Sequence, residues 1–158
     1  MKNLRLYIEF HFGIRKPNIN FILNGKNVSP KKIDKVETSK YYTKEIYNFD
    51  CEFFKSNEFV IDMHDKTDND LLIIDEKIID HYVNVREIEI DGIKAEEAFK
   101  NCATFTHSMS EEWVNMMSTN GIEILPIYQK ATEIRLNGLY KLKFYLPIWQ
   151  WKTENTYE

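Results

Sequence analysis

The sequence predicts a mainly β fold, an antiparallel β-sandwich of jelly-roll type with one or two short helices. Three observations lead there. Several segments alternate apolar and polar residues with a period of two, which sends successive side chains to opposite faces of a strand. Asn-Gly and Asp-Gly dipeptides punctuate those segments, and both tolerate the positive φ of tight turns. Aromatic residues make up 14% of the chain, an excess that suits strands and fills the space between two sheets.

Leu4 to Phe12 is the clearest strand, with Leu4, Leu6, Ile8, Phe10 and Phe12 on one face and Arg5, Tyr7, Glu9 and His11 on the other. Gly13 and Pro17 close it. Asn18 to Leu23 makes the next strand and runs into Asn24-Gly25, a hairpin signal. Lys26 to Lys35, with four lysines around Pro30, reads as a solvated loop. Tyr41 to Phe54 supplies one or two strands. Glu58 to His64 alternates Phe59, Ile61 and Met63 against Val60 and Asp62, and Leu71 to Ile74 is a short strand. Tyr82 to Ile90 is another, stopped by Asp91-Gly92. Helical composition marks Lys94 to Lys100, and Ser110 resembles an N-cap for a short helix to Met117, with Glu111 and Glu112 in its first turn. Asn120-Gly121 then turns into Ile122 to Leu125. Thr132 to Leu136, Asn137-Gly138 and Leu139 to Leu146 read as a terminal hairpin ended by Pro147.

Length, charge and cysteines narrow the function classes. A chain of 158 residues is one domain's worth, and no linker or repeat divides it, so residues 1–158 are expected to fold as a single sandwich. A net charge of −4 argues against nucleic acid as a partner, which requires a basic face. Cys51 and Cys102 form neither a disulfide framework nor a zinc set. The alternating, polar N-terminus does not resemble a signal peptide, so synthesis in a cytoplasm without export is expected. No apolar run approaches the roughly 20 residues that span a bilayer, so no membrane partner is expected.

Two features invite chemistry. Asp62, Asp65, Asp68 and Asp70, with Asp75 and Asp80 further on, lie around strand ends. Calcium takes oxygen ligands, and a loop dense in Asp and Asn offers them, although the spacing is not that of an EF-hand. The alternative is a solvated acidic loop. Trp149-Gln150-Trp151, if extended, would turn both indoles to one side as a platform for a sugar ring or a neighbouring subunit. Alternatively it folds over the open end of the core, and Trp113 carries the same alternatives. His11, His64, His81 and His107 are scattered outside any HxH or HExxH pattern. Ser108 and Ser110 lack a nucleophile-elbow context, and no phosphate-binding glycine loop is present. No catalytic residue is expected.

Three segments carry a resemblance. They are Phe59-Val60-Ile61-Asp62-Met63-His64-Asp65-Lys66-Thr67-Asp68-Asn69-Asp70, then Val85 to Ile93, then Leu136 to Phe144 leading to Pro147-Ile148-Trp149. In this order they resemble small proteins of large tailed bacteriophages that look like carbohydrate-binding-module sandwiches. The resemblance spans about the last hundred residues and implies a non-enzymatic structural protein of the virion, in the capsid, tail or fibre. Partners would be other virion proteins in an oligomeric assembly. The alternative is a carbohydrate-binding module taking a glycan, with calcium as a possible cofactor at Asp62, Asp65, Asp68 and Asp70.

Overall fold

A computed structural model describes residues 2–157. Strand β1 (Asn3–His11) is followed by β2 (Ile19–Leu23), β3 (Lys26–Val28), β4 (Lys32–Ser39) and β5 (Tyr42–Asp50). Next, β6 (Ser56–Met63) leads through a 3-10 turn at Asp68–Asp70 to a two-stranded arm, β7 (Leu72–Ile74) and β8 (Lys77–Ile79). After β9 (Tyr82–Ile90) and β10 (Ile93–Lys94) come α1 (Glu97–Cys102), β11 (Thr104–His107) and α2 (Glu111–Thr119). The last elements are β12 (Ile127–Gln129), β13 (Glu133–Ile134), β14 (Gly138–Tyr145) and α3 (Ile148–Asn155).

The fold is the expected one, mainly β and antiparallel, in two six-stranded sheets. One runs β10-β9-β1-β5-β4, with β13 also on β9; the other runs β12-β11-β14-β6-β2-β3. One core fills the space between them. Leu4, Leu6, Ile8 and Phe10 of β1 share it with Phe59, Ile61 and Met63 of β6 and with Tyr140, Leu142 and Phe144 of β14. Aromatic edges bridge the sheets, with Phe21 of β2 lying 4.9 Å from Phe49 of β5 between ring centres. Such edge-to-face pairs add to the stabilisation from burial alone.

The pattern of β9 explains its own irregularity. Val83 and Val85 face the core, then Ile88 and Ile90 do, a step of three. The pairing with β1 shifts between Tyr7 and Ile8 to absorb the extra residue.

Three sequence expectations are corrected. Lys26 to Lys35 is not one loop, since it holds β3 and the start of β4. As an edge strand β4 keeps its side chains largely in water, so charge there does not exclude pairing. Ile122 to Leu125 is irregular. Asn120-Gly121 ends α2: Gly121, at positive φ, lets the Ile122 N–H reach the Met117 carbonyl.

The terminal hairpin is the second correction. Its first half, β13, pairs with β9 in one sheet, whereas β14 pairs with β6 and β11 in the other. Asn137-Gly138 therefore carries the chain between sheets. At Gly138 a Cβ would lie 2.2 Å from the Thr106 carbonyl oxygen and 2.7 Å from His107 Cα, so glycine is required by the close approach of β11.

Finally, there are three helices rather than one or two, because Trp149-Gln150-Trp151 lies in α3. Residues two apart on a helix point in nearly opposite directions. Trp151 is 2% exposed and packs edge-on against Phe144, whereas Trp149 is 62% exposed, so the two make no common platform.

Candidate functional site

The richest concave surface lies at one end of the sandwich, where four segments distant in sequence meet. It is a cleft of about 500 Å³. Leu71, Ile78, Met109, Leu136 and Trp113 give it an apolar lining. Polar groups from Lys66, Asp68, Asp80, Arg135 and Asn137 join them.

Trp113 belongs to the first turn of α2. Ser110 is the predicted N-cap, and its hydroxyl accepts the Trp113 backbone N–H at 3.1 Å. That bond fixes the start of the helix, and with it the indole.

The opposite wall is held by reciprocal hydrogen bonds. The Asn137 amide accepts from the Lys66 N–H and donates to the Lys66 carbonyl, both at 2.9 Å. The Lys66 ammonium donates to Asp80 Oδ1 at 2.8 Å and to the Arg135 carbonyl at 2.6 Å. Arg135 donates to Glu133 at 2.5 Å, and its guanidinium carbon sits 3.7 Å over the Tyr82 ring centre. Burial works against ionisation of Asp80. Hydrogen bonds from Lys66 and the His81 N–H, with the Lys66 and Arg135 charges, outweigh it and hold the carboxyl below its ordinary range.

Behind this wall the loop after β6 is locked by Arg15. Its guanidinium grips Asp70 with two bonds, 2.6 and 2.9 Å, and reaches the Asp65 carboxylate at 3.3 Å. Asp70 also accepts the Thr67 N–H at 2.8 Å. Burial opposes ionisation here too, yet the Arg15 and Thr67 hydrogen bonds keep Asp70 below the usual carboxylate range. Beside them lies the fully buried His81. Among the described residues, neither of its ring nitrogens has a hydrogen-bond partner.

This geometry separates the four aspartates proposed as calcium ligands. Asp65 and Asp70 are spent on Arg15, whose guanidinium stands where a cation would sit. Asp62 lies 3.7 Å from the His64 ring, and Asp68 faces the Trp113 cleft. Among the described residues no group of three or more His, Cys, Asp or Glu is placed to hold a metal ion. The donor set does not fit calcium, because two of its four carboxylates are already neutralised.

Of the tryptophans singled out in the sequence, Trp113 alone lines this cleft; Trp151 is core and Trp149 is exposed on α3. Lys66, Arg135, Asn137 and Met109 escape a reading by spacing, because positions 66, 109, 135 and 137 converge only through the crossing from β13 to β14. Among the polar residues, Asp68 and Asp80 were available signals, counted among the acids but not as parts of one cleft or of an ion-pair network.

Comparison of the chain with family models, with curated proteins and with solved structures finds no match.

Proposed function

We propose that this chain is a non-catalytic structural protein that docks into a larger assembly of the kind found in a tailed-bacteriophage particle. The observation that carries this reading is the β7–β8 arm. Ile73 and Ile78 stand directly opposite each other on it and are 69% and 66% exposed. A two-stranded ribbon is marginal in water, and large aliphatic side chains displayed on one mark a surface that another molecule covers. Ile14 and Ile74 are also exposed, as are Met116 and Ile122 on or just after α2. The three segments that resemble phage virion proteins support the same reading and include the loop leading to the arm.

Mass spectrometry of purified particles tests the reading. The chain is expected as a stoichiometric component, retained after washing in high salt. Its absence from particles, with the chain recovered only free in the lysate, would remove the proposal.

A second reading, a carbohydrate-binding module, is favoured by the Trp113 cleft. An aromatic face beside preorganised polar groups is the usual chemistry of a site for a small polar ligand.

A further inference from the structure

We infer that the cleft between α2 and the Lys66–Asp80 wall is a binding site for a neutral pyranose ring. The inference rests on the carbohydrate-binding reading and goes beyond it by naming the site and the class of sugar.

The cleft's two kinds of surface select the ligand. The Trp113 indole and the aliphatic groups of Leu71, Ile78 and Leu136 require an apolar face. A pyranose has one in its ring C–H groups, whereas a fully apolar ligand would strip water from charged groups and return nothing. The polar wall carries charges of both signs, Lys66 and Arg135 beside Asp68 and Asp80. An anionic ligand meets the two carboxylates, and a cationic one meets the ammonium and the guanidinium. Hydroxyl groups both donate and accept, so a neutral polyol satisfies both kinds of partner at once.

The wall is also preorganised. Two Lys66 ammonium hydrogens go to Asp80 and the Arg135 carbonyl, which leaves one for a ligand among the described residues. The Arg135 contact to Asp80 Oδ2 is long, 3.5 Å, so this oxygen retains capacity to accept a hydroxyl. The Asn137 clamp on both backbone groups of Lys66 keeps this geometry before the ligand arrives. The cleft volume of about 500 Å³ falls inside the range of small-ligand sites, roughly 300–1,000 Å³.

The test is isothermal titration of the full chain with the methyl glycosides of glucose, galactose, mannose and N-acetylglucosamine. Methyl glucuronide and glucosamine serve as charged counterparts. At least one neutral glycoside is expected to saturate with a dissociation constant in the millimolar range or tighter, and to bind more tightly than either charged sugar. Trp113→Ala is expected to weaken it at least about tenfold, a loss of about 1.4 kcal/mol, and Trp113→Phe to weaken it less. Trp149→Ala is expected to leave it unchanged. Circular dichroism establishes that each variant is folded. Binding that survives Trp113→Ala but disappears in Trp149→Ala would overturn the cleft and leave a carbohydrate-binding module standing. Preference for the glucuronide or glucosamine would overturn the neutral-ligand argument. No binding by any of the six sugars would remove the cleft and that module reading together.

Discussion

Burying Glu45 on the core-facing side of β5 leaves a carboxylate with no exposure to water, a placement that normally costs several kcal/mol. Lys16 offsets it from the loop after β1. Its ammonium lies 2.8 Å from both carboxylate oxygens, and the Tyr47 hydroxyl donates a third bond at 3.2 Å. The same ammonium sits 4.5 Å from the Phe10 ring centre. His81 poses the opposite problem, because among the described residues its ring has no such partner. Burial favours its neutral form; Asp70 opposes that, and the Arg15 and Lys66 charges reinforce it, so its pKa lies below the ordinary 6.5. An unfolded chain therefore takes up this proton at a higher pH than the folded one. Stability is full above about pH 6.5 and falls as pH drops from there through the folded-state pKa. Asp70 and Asp80, both lowered, give up their stabilisation only below the ordinary aspartate value of 3.8. Urea midpoints measured between pH 7.5 and 5 are thus expected to fall for the native chain. In His81→Gln the slope over that interval flattens, whatever the variant's absolute stability. An unchanged slope would place the proton uptake elsewhere.

At the scale of elements, local pattern and tertiary context divide the work. The faces of β1 and β14 were legible because each has one buried and one wet side, and the buried sets match the alternating sets of the sequence. Ser110 was legible as a cap because capping is a local bond. Asn137-Gly138 was misread because the same dipeptide serves a hairpin turn and a crossing between sheets. What decides is the Thr106 carbonyl against Gly138, and that contact is made by a strand about thirty residues earlier in the chain. Of the two alternatives for Trp149 and Trp151, Trp151 takes the core-lid one, and the extended platform fails for a related reason: a helix of eight residues with a weak apolar stripe shows little periodicity. The Trp113 cleft was half legible. Its aromatic was visible in the sequence, but its polar wall is made by pairing. Gly138→Ala tests the crossing. The clash with backbone leaves no rotamer to escape into, so a loss of about 2–3 kcal/mol is expected in equilibrium unfolding. A change under about 0.5 kcal/mol would show that β11 and β14 can part without cost.

For the whole molecule, two faces of one end carry the functional account. The sandwich closes its core with aromatic edges between the sheets and with Trp151 over Phe144. That leaves the β7–β8 arm standing off both sheets, seated where Leu72 packs against Gly13, whose added Cβ would lie 2.4 Å from the Leu72 Cβ. The arm is thus attached firmly at its base and exposed along its length. Apolar residues in that position add little to the stability of the isolated chain. They become favourable on docking, at about 25 cal/mol for each Å² removed from water. Replacing Ile73 and Ile78 by Lys is expected to shift the unfolding midpoint of the isolated chain very little. The same change should abolish incorporation into particles.

Covalent surface footprinting of residues 71–79, in the isolated chain and in purified particles, tests the docking claim most directly. The account predicts that Ile73 and Ile78 are labelled freely in the isolated chain and protected several-fold in the particle. Equal labelling in the two would mean that nothing covers the arm and that the chain does not act through it.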